Sequence, residues 1–255
     1  MRAIAIMNNK GGVGKTVTAI NLADILVREY HKRVILADCD GQMNLTRFYL
    51  PEFDPEINVN LADILMGRCE PLWSDNLIPL YPGLDLIPAS QDLYDLDRSA
   101  IQTGESAPDL LRQFSDCVRV DGEVDYMIFD CPPGYTVASV GALMAADDVV
   151  IPMLLDGFSH SGMEDMQLQI NILRRANQRI HIAGVLLTQW HNSDVVRQGE
   201  AYIRSLNVPV FRHTIRRTDK VPESTYDRQP MAVYSPTSAA TRDYLAWVRE
   251  YLGEV

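Results

Sequence analysis

The 255-residue chain is short of cysteine, and its four (Cys39, Cys69, Cys117 and Cys131) are widely spaced with no CxxC pair. That spacing argues against a disulfide framework and leaves no zinc-ligand pattern, so all four read as buried thiols in a reducing cytosol. Long apolar runs are missing too: none approaches the roughly 18 residues a membrane span requires, and no leader-like stretch precedes the first strand. Internal repeats, low-complexity tracts and Gly/Ser linkers are absent. With 47% hydrophobic composition, this length suits a single domain over 1–255. Positive charge is scarce. The formal net charge of -11 argues against a protein that coats nucleic acid over its whole surface. From Asn171 onward, however, twelve Arg or Lys face eight Asp or Glu, so the basic character sits late and the preceding segment carries the acidity.

What is present is an alternation of short β-rich apolar runs with longer segments of helical period. This predicts an α/β fold in which a mostly parallel, twisted sheet is covered by helices on both faces, in three layers. Strands are expected over Ala3–Met7, Val34–Ala37, Leu84–Pro88, Tyr126–Asp130, Val149–Pro152, Ile182–Leu187 and Val210–His213. The clearest helices are expected over Thr16–Tyr30, Ser139–Ala146, Met163–Asn177, Val195–Ser205 and Thr237–Tyr251, the last starting just after Pro236. Between Tyr49 and Pro82, five prolines break any long element; the segment reads as a surface excursion with one short helix near Leu61–Met66.

The stretch NNKGGVGKTVTAINLA, from Asn8 to Ala23, carries the strongest chemical signal. Gly11, Gly12, Val13, Gly14, Lys15, Thr16 and Val17 lie between a strand and a helix, the context of a phosphate-binding P-loop. Glycines let the backbone wrap a triphosphate so that successive N–H groups and the helix N-terminus face its charge. Lys15 is placed for the β- and γ-phosphates and the Thr16 hydroxyl for Mg²⁺, which makes ATP and Mg²⁺ the expected ligands. A plain turn accounts for glycines but not for Lys-Thr in register with strand and helix. Carboxylates end two further strands: Asp38 and Asp40 after the second, and Asp130 before Pro132 and Pro133. Such groups order an attacking water or hold Mg²⁺ through its shell, which gives Lys15, Asp38 and Asp40 catalytic roles and Thr16, Asp40 and Asp130 metal roles. As polar strand ends alone they would need no such loop.

Lys10 is the second lysine of that loop, and a single cis lysine suffices for the phosphates. Lys10 to Thr16 match the KGGxGKT motif, and the sequence here resembles the deviant Walker A ATPases. The resemblance implies that Lys10 reaches across a dimer interface to phosphates bound by the partner subunit. VILADCDGQMNLT is similar to the switch segment of the ParA and Soj partition ATPases, with MinD as a relative, although Gly41 and Met43 stand where that family has Pro and Gly. YMIFDCPPG resembles its Walker B segment, and the matches LIPAS, VLLTQW and VPESTYDRQPMAVYSPTSAATRDY extend the likeness over nearly the whole chain. The implied fold is that of a P-loop NTPase. The implied activity is slow, Mg-dependent ATP hydrolysis in an ATP-bound homodimer. That dimer would bind nonspecific double-stranded DNA, associate with the nucleoid, and be stimulated by a ParB-like centromere-binding protein during segregation of a replicon. Arg217 is the family-matched position in the loop near the adenine, although the neighbouring proline is lost.

Candidate DNA contacts are the late arginines Arg174, Arg175, Arg197, Arg204, Arg216, Arg217 and Arg242, several of which equally serve to solvate helix faces. The tail DYLAWVREYLGEV carries one basic residue, Arg249, among Asp243, Glu250 and Glu254, which predicts core packing rather than membrane binding. Three alternatives stand beside partition: an ATP-dependent ligase like the dethiobiotin synthetases, an ATPase positioning a non-DNA cargo, and a hydrolysis-dead DNA-binding module.

Overall fold

The computed structural model describes residues 1–70, 72–104, 109–156 and 167–254. The order of elements is β1 (Arg2–Ile6), α1 (Lys15–Arg28), β2 (Val34–Asp38), α2 (Asn44–Tyr49), α3 (Leu61–Leu65), a 3-10 turn (Trp73–Asn76), β3 (Ile78–Tyr81), β4 (Leu84–Ile87), α4 (Asp92–Thr103), α5 (Asp109–Asp121), β5 (Tyr126–Asp130), α6 (Val137–Ala145) and β6 (Asp148–Leu154). Helical residues 167–173 (α7) follow, then β7 (His181–Thr188), α8 (Asp194–Ser205), α9 (Lys220–Tyr226), α10 (Met231–Tyr234) and α11 (Ala239–Tyr251).

The strands form one sheet in the order β3-β4-β2-β5-β1-β6-β7, parallel throughout except where β3 pairs antiparallel with β4. Continuous apolar runs such as VILA and MIF are what a strand buried on both faces requires. Alternate residues serve opposite layers: Ile4 and Ile6 of β1 pack with Leu22, Leu26 and Trp247 on one face, while Ala3, Ala5 and Met7 pack with Leu111, Val118 and Leu143 on the other. Trp247 is fully buried, so the apolar stripe of α11 is spent on the core, as its composition predicts. No helix among the described residues is long and apolar enough to cross a membrane.

Several expectations change. Of the four cysteines expected to be buried, Cys39 and Cys131 are, whereas Cys69 and Cys117 are exposed. No strand forms over Val210–His213; a single bridge joins Val210 to Val185 of β7. Past that bridge the Glu250 carboxylate accepts the N–H groups of Arg212 (2.7 Å) and His213 (3.0 Å); with the Phe211 N–H already on the Val185 carbonyl, the His213 N–H is the one that continued pairing with β7 would have used. Conversely, the proline-rich excursion contains the edge strand β3. Pro79 is tolerated there because an edge strand leaves one side of its backbone unpaired. The helix expected over Met163–Asn177 has its first residues outside the described ones, and the helical turns end at 173. Asn177 instead donates from Nδ2 to the carbonyls of Leu143 and Ala146, tying the chain to the end of α6.

Candidate functional site

The order β2-β5-β1 brings three distant segments together at the C-terminal end of the sheet, where strand connections diverge. Asp38 and Asp130 are direct neighbours in the β2–β5 register, and Ile6, one residue before the β1 exit, is opposite Asp130. The loop from Asn8 then wraps the N-terminus of α1. Asn8 secures its start, donating from Nδ2 to the Pro152 carbonyl (2.7 Å) and accepting the Lys10 amide at Oδ1 (2.9 Å). Gly14, at φ 89°, caps α1 in the left-handed region without any side-chain cap, so the first N–H groups of the helix remain available to an anion. From β7, the Thr188 hydroxyl donates to the Val13 carbonyl (2.8 Å) and Gln189 Nε2 to the Gly12 carbonyl (2.9 Å), holding the loop from its far side. Sequence reasoning missed this pair; VLLTQW stood out only as a family match.

Above the loop lies a cavity of about 650 Å³. It is lined by Gly11, Gly12, Gly14, Lys15, Thr16 and Val17 of the loop and helix start, by Asp40, Gln42 and Asn44 after β2, and by Arg217, Val221, Pro222 and Tyr244 from the C-terminal part of the chain. Lys15 is buried, and its Nζ donates to the Lys10 carbonyl at 2.9 Å. Burial lowers its pKa against the pull of Asp130, Cys131 and Asp40. A cation held in this way is primed for an anionic ligand.

The three carboxylates differ. Asp38 lies behind the cavity wall, fully buried: Oδ2 accepts the Thr46 hydroxyl (2.7 Å) and amide (2.8 Å), and Oδ1 the Asp40 amide (3.1 Å). Burial pushes its carboxyl up to about 6 despite those bonds. Asp40 lines the cavity, and its Oδ1 accepts the Gln42 amide at 2.9 Å. Asp130 is 2% exposed, and its Oδ1 is buried with no hydrogen-bond partner among the described residues. Burial, then Asp38, raises its pKa well above the ordinary range, against Thr16 and Lys15. An orphaned buried carboxylate oxygen facing a threonine and a lysine suits a divalent cation, because the cation would supply the missing partner.

A family model described as an AAA domain matches residues 1–182. The chain is 33% identical to the chromosome partitioning protein ParA of Caulobacter vibrioides, over 99% of this chain and 94% of that protein. It is 31% identical to the chromosome-partitioning ATPase Soj of Thermus thermophilus, over 100% of this chain and 97% of that protein. The chain belongs to the ParA/Soj family. Among solved structures, that of cobyrinic acid a,c-diamide synthase from Mycobacterium smegmatis with bound ATP analog and magnesium is similar, with TM-score 0.82 and 26% identity over 99% of this chain and 94% of that one. The fold is that of the P-loop NTPases, and the family is of P-loop ATPase type.

Against the ParA/Soj pattern, the structure places Lys10 outside the cavity lining, in an ion pair with Asp156 just beyond β6. The two unusual switch residues have distinct conformations. Met43 takes the left-handed region (φ 60°) where the family pattern has glycine, and Gly41 lies directly under the ring of Tyr94. The candidate DNA arginines do not form one free basic face. Arg197 pairs with Asp194 (2.5 Å), Arg204 with Glu200 (2.9 Å), and Arg216 forks onto Asp243 while also lining the cavity. Arg174, Arg175 and Arg242 have no acidic partner among the described residues; Arg174 bonds to the Ile180 carbonyl and Arg242 to the Thr237 carbonyl.

Proposed function

We propose that the chain hydrolyses ATP with Mg²⁺ and acts in segregation of DNA, as a single domain that dimerises when ATP is bound. The observation that carries this reading is the wall of Gly11, Gly12, Gly14, Lys15 and Thr16 facing Asp40 across a cavity of nucleotide size. The P-loop amides and Lys15 bind the phosphates, and Arg217 with the Val221–Pro222 wall takes the base. Thr16, Asp130 and Asp40 are the residues that would hold Mg²⁺, which when bound neutralises charge on the phosphate oxygens. Asp40 orients the attacking water from the cavity side. Asp38, its oxygens saturated from Asp40 and Thr46, acts through the loop rather than on water directly. Lys10 is held by Asp156 in the isolated chain and serves the phosphates of a second subunit in the dimer.

Arg174, Arg175 and Arg242 are the cations best placed to meet a phosphate backbone without first breaking an ion pair, and they make salt-sensitive, sequence-independent contacts. A DNA-bound ParB-like protein stimulates turnover, and the protein works in the cytoplasm, on the nucleoid when bound to ATP. The ion-paired state of Arg197, Arg204 and Arg216 favours a second reading, in which the same ATP cycle positions a cargo other than DNA. Light scattering with ADP and with a slowly hydrolysed ATP analogue, each with and without random duplex DNA at stated salt, separates the two. ATP-dependent dimers that bind DNA support partition, dimers that ignore DNA support positioning of another cargo, and an unchanged monomer refutes the shared dimer cycle.

A further inference from the structure

The loop between β2 and α2 is turned by short bonds of its own, the Gln42 amide to Asp40 Oδ1 (2.9 Å) and the Met43 amide to the Asp40 carbonyl (2.8 Å). Met43 sits in the left-handed region (φ 60°), which a side-chain-bearing residue adopts at a cost. A further support reaches this loop from α4. A Cβ at Gly41 would lie 2.8 Å from Cε2 and Cζ of Tyr94, so the ring rests directly on the glycine backbone. The Tyr94 hydroxyl accepts a hydrogen bond from Gln42 Nε2 at 2.6 Å, and the Gln42 amide in turn donates to Asp40 Oδ1 at 2.9 Å. Gln42 and Asp40 both line the cavity. Tyr94 is 38% exposed, whereas its neighbour Leu93 is 4% exposed and anchors α4 to the core. The tyrosine therefore does little for burial, and its contacts are with the loop. One turn along the same helix, Asp97 Oδ1 accepts the Val137 amide (2.7 Å) at the start of α6, on the segment that leaves Asp130. One helix thus braces both carboxylate-bearing loops, through residues three positions apart that share a face.

We propose that Tyr94 is a positioning residue for hydrolysis: its ring and hydroxyl fix Gly41 and Gln42 and thereby set Asp40 against the cavity, an assignment that rests on the ATPase reading above. The brace takes the place of the rigidity a proline at position 41 would have supplied.

The test is steady-state ATP hydrolysis, thermal melting and amide hydrogen exchange over residues 39–46 for wild type, Y94F, Y94A, G41A and the double variant G41A/Y94A. Y94F removes one oxygen and keeps the ring. The expected result is a kcat reduced by roughly fivefold or more, KM for ATP within about twofold of wild type, an unchanged melting temperature and faster exchange in the 39–46 segment. G41A drives a Cβ into the ring and should lower kcat in wild type but have no further effect once Tyr94 is alanine, because the clash is then gone. Normal kcat in both Y94F and Y94A would overturn the proposal. So would a loss confined to melting temperature and KM, which marks a merely structural contact. If wild-type protein shows no turnover, the ATPase reading fails by itself. Exchange then judges the brace separately: faster exchange in Y94F upholds it and unchanged exchange overturns it.

Discussion

Replacing Thr46 by valine tests how the buried Asp38 is held. Thr46 is wholly buried; its hydroxyl donates to Asp38 Oδ2 at 2.7 Å and accepts the Ala89 amide at 2.9 Å, while its own amide donates to the same carboxylate oxygen at 2.8 Å. Valine keeps the shape and deletes the oxygen. The Ala89 amide is then left without a partner, at about 1–3 kcal/mol, and Asp38 loses a bond to a charged acceptor worth about 1.5–3 kcal/mol. The expected loss is therefore about 3–5 kcal/mol near pH 7.5, a large part of ordinary domain stability. Thr46→Ser keeps the hydroxyl and should lose only about 1 kcal/mol for the missing methyl. Burial pushes the Asp38 carboxyl from 3.8 up to about 6, and the Thr46 hydroxyl opposes that rise. Removing the hydroxyl raises it further. A carboxyl raised in the folded state contributes stability that is present below its unfolded pKa and is lost as pH rises through the folded value. The valine variant should therefore gain on wild type as pH falls from about 7.5 to about 5, and its deficit should shrink. Urea denaturation at both pH values measures this. Equal deficits for valine and serine, or a valine deficit that grows toward the lower pH, would refute the reasoning.

Lys15→Ala should weaken nucleotide binding by about 10–100-fold in a fluorescent-ADP titration, since it deletes the one buried cation on the phosphate wall. Lys10→Ala should leave that affinity within about twofold and melting nearly unchanged, because its pair with Asp156 is more than a third exposed and worth about 0–1 kcal/mol, while abolishing the ATP-dependent dimer in light scattering. Asp130→Asn should keep or raise the stability of the nucleotide-free protein, given that burial already disfavours its charge, yet erase the extra stabilisation that Mg²⁺ adds to bound ADP; calorimetric scans with and without Mg²⁺ decide. In filter binding to random duplex across a salt series, Arg174→Glu with Arg175→Glu should cost more affinity than Arg197→Glu, whose cation is already committed to Asp194. The reverse order would move the DNA face to α8.

The core strands were legible because a doubly covered strand must be apolar at every position, and few other structures impose that. Each of Val34–Asp38 and Met127–Asp130 is buried, and both lie where their runs predict. The phosphate loop was legible because glycine, lysine and threonine must fall in fixed order between strand and helix. Misreadings arose where a distant side chain decides the backbone. Glu250 takes the His213 amide away from the sheet, and nothing near residue 210 announces it. Pro79 reads as a breaker, and only its place at the sheet edge makes it acceptable. The roles of Asp38 and Asp40 were indistinguishable in sequence, two residues apart on one strand end; Thr46, eight residues on, separates them by saturating the first.

The same topology ties the strand exits of the site to one another. Adjacent strand exits are stitched to one another by backbone bonds: the Cys39 amide to the Asp130 carbonyl (3.0 Å), the Cys131 amide to the Ile6 carbonyl (3.2 Å) and the Met7 amide to the Val150 carbonyl (3.1 Å). These bonds run laterally across β2, β5, β1 and β6, so a shift at any one exit is passed to its neighbours through rigid ladders. Beyond this line the loops have few ties of their own: Thr188 and Gln189 to the P-loop, Thr46 to Asp38, and α4 to both carboxylate loops. A ligand that supplies a partner to Asp130 Oδ1 therefore acts on a fully enclosed strand end, while residues 40–43 beside it are held by turn bonds and by Tyr94 rather than by the ladder. Stiff strand ends with an externally braced loop form the arrangement in which loss of one phosphate can release a surface without disturbing the core.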